Sequence, residues 1–118
     1  MKKTISFSSL VLMFVLGTIL YSCSKGNSSS SVNVNNNPNS VSIANMAFNP
    51  ASITVKAGTT VTWTNYDMMT HTVTADNDSF NSGDILSGST FSFTFSTAGT
   101  FNYHCTIHPL MKGTITVN

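Results

Sequence analysis

Phe91-Ser92-Phe93-Thr94-Phe95 alternates aromatic and hydroxyl side chains with a period of two. Successive side chains of a strand point to opposite faces, so such a run buries one face and wets the other. Shorter runs of the same kind recur along the chain. Val41 and Ile43 form one. Ile53 and Val55 form another, ahead of the turn signal Lys56-Ala57-Gly58. Val61 and Trp63 follow, then Val73 after His71. Phe101, Tyr103 and Cys105 alternate beyond Ala98-Gly99, and Ile115 and Val117 close the chain. Seven or so short strands separated by turns imply an all-β sandwich or barrel, spanning residues 41–118. No internal repeat is visible, and no long stretch after Tyr21 looks helical.

The first 40 residues read differently. Lys2 and Lys3 form a positive start, and residues 10–20 (LVLMFVLGTIL) form an apolar run. That run is shorter than the roughly 20 residues a membrane span requires, and it suits an export signal over residues 1–22. Leu20-Tyr21-Ser22-Cys23 resembles a bacterial lipobox. The resemblance implies cleavage before Cys23 and acylation of its thiol, which would anchor the protein to a bacterial membrane at the periplasm or cell surface. Residues 23–40 then make a Ser/Asn-rich linker that is too polar to fold alone. As a flexible coil it has a reach of roughly 20–25 Å.

Charge excludes several partner classes. Only 8% of residues are charged, no Arg or Glu occurs, and the formal net charge is +1. A nucleic-acid-binding domain needs a basic footprint, and none is present. A monomer with little long-range electrostatic steering is expected.

Strand parity directs the chemistry. Phe101 and Tyr103 should face the core, which sends Cys105 the same way and His104 to the opposite face. His71 shares a side with Val73. A thiol and an imidazole thus enter one apolar interior near the ends of their strands. Pro109 interrupts pairing just beyond, so residues 106–111 form a loop. Cys105, His108 and Met111 carry the spacing Cys-x-x-His-x-x-Met within that loop. Two imidazoles and a thiolate in a trigonal array, with a weak axial thioether, make a blue-copper electron-transfer site. Thiolate and thioether suit Cu(I), and imidazole suits either oxidation state. The chain has two cysteines, and Cys23 belongs to the lipobox, so Cys105 is left unpaired in an oxidising compartment. Metal ligation accounts for such a thiol. The competing readings are a buried free cysteine, a zinc site, which ordinarily lacks Met, and a disulfide with Cys23.

Val61-Thr62-Trp63-Thr64-Asn65, Met69-Thr70-His71-Thr72-Val73, Gly99-Thr100-Phe101-Asn102-Tyr103-His104-Cys105 and His108-Pro109-Leu110-Met111-Lys112-Gly113 resemble the cupredoxins. The ligand-loop spacing is most similar to that of the amicyanins. Ile107 and Thr70 depart from the family's prolines. The resemblance implies a Greek-key β-sandwich, one type 1 copper ion and electron transfer outside the cytoplasm. It also implies that Asn65 hydrogen-bonds across to the ligand loop near Thr106.

Other residues are expected to be structural. His104 is a non-ligand. Met46 packs in the core, while Met68 and Met69 join Pro109 and Leu110 in an uncharged rim where a redox partner docks; the competing reading of the three methionines is a Cu(I)-binding delivery site. Asp76, Asp78 and Asp84 lie in a solvated Ser/Asn/Gly-rich stretch, too scattered for a calcium loop. No Ser/His/Asp arrangement marks a hydrolase, so no enzymatic activity is expected. Two functions remain open. One is a single-electron carrier between redox proteins such as a c-type cytochrome or a copper/quinone enzyme. The other is a copper storage or delivery protein.

Overall fold

Residues 37–118 are described by a computed structural model. The expected export signal, Cys23 and most of the expected linker lie outside the described residues. Within them the chain is all-β, as its alternation implies. Eight strands form: β1 (Ser40–Ala44), β2 (Ala47–Asn49), β3 (Ser52–Val55), β4 (Thr59–Asn65), β5 (Thr74–Ala75), β6 (Thr90–Phe95), β7 (Gly99–His104) and β8 (Lys112–Val117). They assemble into two four-stranded mixed sheets, ordered β2-β1-β4-β6 and β3-β8-β7-β5. β1 runs parallel to β4 and β3 parallel to β8, and the remaining pairs are antiparallel. This is the Greek-key sandwich that the resemblance implies.

The alternation builds the core directly. Val41 and Ile43 of β1, Val61 and Trp63 of β4, and Phe95 of β6 are buried from one sheet. Val55, Tyr103, Ile115 and Val117 meet them from the other. Trp63 sits among aromatic rings, with Tyr103 edge-on at 5.6 Å and Phe91 at 5.7 Å. Such edge-to-face packing adds to the burial of apolar area. In register opposite Tyr103 stands Gly113. A Cβ there would collide with the Tyr103 ring, so this position admits only hydrogen.

The core extends beyond the alternating runs. Phe80 and Ile85 lie in the Ser/Asn/Gly-rich stretch between β5 and β6, yet both are buried. Phe80 packs on Phe93 at 4.9 Å. Ile85 forms an antiparallel bridge with His71, with Ile85 N–H donating to the His71 carbonyl at 2.8 Å and His71 N–H returning at 3.2 Å. The polar composition of that stretch conceals two anchors that hold it against the sandwich. Asp76, Asp78 and Asp84 themselves are exposed, as expected.

Between β1 and β2 the chain reverses in two residues, Asn45 and Met46, both left-handed at φ 54° and 60°. Tight hairpins of this kind match the twist of the strands and favour Asn-Gly. Asn tolerates the conformation. A methionine is strained there, at a cost on the order of 1–3 kcal/mol. Met46 is 41% exposed. This corrects the expectation that it packs in the core: a two-residue turn turns its second residue out at the end of the sandwich.

Candidate metal centre

The end of the sandwich beyond β7 gathers the donor residues. Cys105 follows β7 directly and is fully buried, because the inward parity of Tyr103 carries through to it. His104, one residue earlier, points away and pairs with Asp76, Nδ1 to Oδ1 at 2.6 Å. His71 is fully buried on the segment between β4 and β5, pinned by its bridge to Ile85. His108 is half-buried on the loop after Cys105.

That loop is closed on itself. Met111 N–H donates to the His108 carbonyl at 2.9 Å, and Cys105 N–H donates to the Met111 carbonyl at 3.1 Å. Pro109 occupies the second place of the His108-Pro109-Leu110-Met111 turn, where its fixed φ is favourable. Met111 is buried and Leu110 is 96% exposed. Spacing and turn together hold His108 and Met111 beside Cys105.

The donor atoms converge. Cys105 Sγ lies 3.8 Å from Nδ1 of His71 and 3.8 Å from Nδ1 of His108, and the two Nδ1 atoms are 3.2 Å apart. Two ligand atoms held about 2.0–2.3 Å from one ion at about 100–120° lie roughly 3.1–4.0 Å apart. All three separations fall within that span. The His71 ring has its Nε2–H committed to the Asp67 carboxylate at 3.0 Å. Its Nδ1 faces a second imidazole and a sulfur. A cation satisfies such a cluster, and the three side chains can hold one copper ion.

Asp67 has no forecast role, yet it braces the site. Its Oδ1 accepts the Asn45 N–H at 2.7 Å, and its Oδ2 accepts the Met46 N–H at 3.0 Å and His71 Nε2–H. Burial pushes the carboxyl pKa up, but the hydrogen bonds from Met46, Asn45 and His71 together outweigh it and hold the group below the usual carboxylate range. A carboxylate behind a ligand histidine fixes the tautomer and raises ligand basicity. The one signal available in the sequence was an acidic residue four positions before His71.

Asn65 corrects a second expectation. Its side chain does not reach Thr106. Its amide donates to the carbonyls of Met69 at 2.7 Å and Ile85 at 2.9 Å, and its oxygen accepts the Asp67 N–H at 2.9 Å. Fully buried, it shapes the segment that carries Asp67 and His71. The contact to the ligand loop is made by Thr72 instead. The Thr106 N–H donates to Thr72 Oγ1 at 2.8 Å, and the two hydroxyls lie 3.0 Å apart. The Thr72 N–H also points at Cys105 Sγ at 3.3 Å. Adjacency to His71 decides this: the residue beside the buried histidine faces the loop, whereas Asn65, at the end of β4, has its side chain taken up by Met69, Ile85 and Asp67.

Around the site the surface is apolar. Met68 is 91% exposed, Met69 51% and Ile107 47%, and Pro109, two residues after Ile107, is exposed as well. A pocket of about 430 Å3 is lined by Met46, Ile107, His108, Pro109, Leu110 and Met111.

Comparison with known proteins agrees with this geometry. The family profile of copper-binding proteins of the plastocyanin/azurin family matches residues 35–118. Plastocyanin of Scenedesmus fuscus is 42% identical over 85 residues, covering 61% of this chain and 87% of its own. Amicyanin-alpha of Methylorubrum extorquens is 38% identical over 87 residues, covering 65% and 69%. Among solved structures, a reduced amicyanin variant superposes with a TM-score of 0.63 at 34% identity, covering 67% of this chain and 80% of that one.

Proposed function

The chain belongs to the plastocyanin/azurin family of copper-binding proteins, and from that premise we propose that it carries single electrons between redox proteins through one type 1 copper ion held by His71, Cys105, His108 and Met111. The observation that carries this reading is the convergence of three donor atoms, all within 4.8 Å of one another, on elements already tied together by hydrogen bonds. Bound copper supplies the one-electron Cu(I)/Cu(II) couple.

The protein's own residues do the rest. Asp67 and the Ile85 bridge hold the His71 ring and backbone. Thr72 ties the ligand loop to the strand side of the site. A donor set held this firmly changes little between oxidation states, which favours fast exchange. The half-buried His108 brings the site close to solvent beside Pro109 and Leu110, and a partner docks there and on the exposed Met68 and Met69. Small uncharged contacts suit brief electron-transfer encounters. The partners fit the class of c-type cytochromes or copper/quinone enzymes, and the protein acts as a monomeric carrier and not as an enzyme.

Export by residues 1–22, acylation of Cys23 and a linker over residues 23–40 would place the domain of residues 41–118 at a bacterial membrane facing the periplasm or cell surface. Replacing Cys23→Ser tests this. Loss of the protein from the membrane fraction supports the anchor, and unchanged fractionation removes it.

The test of the carrier reading is the visible spectrum of the copper-loaded protein, followed by reduction and reoxidation. An intense thiolate-to-copper band that bleaches and returns with one electron per chain is expected. A Cu(II) complex without that band would overturn it.

A further inference from the structure

We propose that Met46 is a capture ligand through which the copper-free protein takes up copper as Cu(I), an inference that rests on the copper reading above. The starting point is a residue in an unfavourable place. Met46 occupies the second position of the β1–β2 turn at φ 60°, where glycine is the natural choice. The Asp67 carboxylate holds its N–H, and the same carboxylate holds His71. The turn is thereby locked to the metal centre, and the Met46 side chain lines a pocket shared with His108 and Met111.

Burial sets the direction of approach. His71 and Cys105 are fully buried, and Met111 is 4% exposed. Met46 is 41% exposed, and His108 is half-buried. Solvent therefore meets a thioether and an imidazole before the two deep ligands. An apolar rim alone would be served equally by Leu. What methionine adds is a soft sulfur donor, which selects Cu(I) over harder ions. Its strain is maintained at a position where only the side chain's chemistry gains from it.

The sequence of bonds follows. A soluble thiolate- or thioether-ligated Cu(I) carrier gives up a ligand as the Met46 thioether binds. The His108 imidazole and the Met111 thioether, on the same pocket, would displace the carrier's remaining ligands, which leave with the carrier. Cys105 then binds as thiolate and its proton leaves to solvent. His71 Nδ1 completes the set, and Met46 is released. Copper stays Cu(I) throughout, so no oxidant or reductant is required.

The experiment uses the copper-free full chain under anaerobic stopped flow, with Cu(I) presented as its bicinchoninate complex and uptake read from loss of the chelate's colour. Met46→Leu keeps volume and apolarity. Met46→Gly relieves the turn and removes the sulfur. Both are expected to slow Cu(I) uptake at least about tenfold, with aqueous Cu(II) taken up as fast as by the unsubstituted chain and one ion bound at the end. Unchanged Cu(I) uptake in Met46→Leu overturns the proposal. Equal slowing of Cu(I) and Cu(II) also overturns it, because that would mark a general distortion of the site. If the unsubstituted chain binds no stoichiometric copper, the copper reading itself fails, and this inference with it.

Discussion

The Asp67 carboxylate meets the His71 imidazole at 3.0 Å, Oδ2 to Nε2, behind the face of the ring that looks into the donor cluster. The same oxygen also takes the Met46 N–H, so one carboxylate joins a hairpin turn to a histidine of the donor cluster. Asp67→Asn keeps the shape but removes the charge and leaves one side of the group a donor. A 10- to 100-fold loss of copper affinity is expected, the range typical of partners behind a ligand. Competition with a chelator of known affinity measures it, and an unchanged affinity would show that the Ile85 bridge alone orients His71.

The two sulfurs proposed as ligands, those of Cys105 and Met111, should behave differently. Cys105 is the only cysteine among the described residues, and its Sγ lies 3.8 Å from the Nδ1 of each histidine. Cys105→Ala should abolish the intense visible band. Met111→Leu should keep the band and shift the reduction potential, since an axial thioether tunes the couple more than it holds the ion. Optical titration and voltammetry on the two variants read both effects.

Thr72 carries a buried acceptor for the Thr106 N–H. Thr72→Val leaves that N–H without its partner and should destabilise the protein by about 1–3 kcal/mol. Thr72→Ser retains the hydroxyl and should lie close to the parent. Urea unfolding of the three copper-free proteins compares them, and equal midpoints for Val and Ser would remove Thr72 from the account.

Tyr103 is 1% exposed, and its hydroxyl meets no well-formed hydrogen-bond partner among the described residues. Burial pushes its pKa from 10.0 up to about 12, although the nearby Trp63 indole offsets part of the effect. The folded state therefore keeps a proton that the unfolded state loses first. The associated stability is fully present below pH 10.0 and is lost as pH rises toward about 12. The loss is roughly 2–3 kcal/mol. Denaturation across that window should show a fall that Tyr103→Phe flattens.

Leu110 is 96% exposed, next to Pro109 and His108 on the ligand loop. Leu110→Glu should slow electron exchange with a soluble cytochrome and leave the copper spectrum unchanged. Because few charges lie nearby, exchange by the parent protein should depend weakly on ionic strength. Stopped-flow reduction across a salt series tests both, and a steep salt dependence would move docking to another face.

Local pattern made much of this protein legible. Period-two alternation identified most strands and the inward parity of Tyr103 and Cys105, because side-chain direction in a strand depends only on neighbouring residues. Cys105, His108 and Met111 stood out for the same reason: a loop of seven residues keeps its donors close whatever surrounds it. The strands the sequence concealed were β2 and β5, three and two residues long, too short to show a period. Phe80 and Ile85 were hidden by polar neighbours, since their partners, Phe93 and Tyr103 for Phe80 and His71 for Ile85, lie outside their own segment.

Tertiary structure decided which polar groups meet. Thr72 and Thr106 are 34 residues apart, and Asn45 and Asp67 are 22 apart. A hydrogen bond needs its partners placed within a few tenths of an ångström, and no spacing rule along the chain supplies that across separate strands. The contact expected of Asn65 is therefore made by Thr72, and nothing local to Asp67 announces its bond to His71. Sequence by itself determined which atoms are available to hold a metal. The packing of two sheets determined which residues hold those atoms still, because that choice depends on distances between strands remote in the chain.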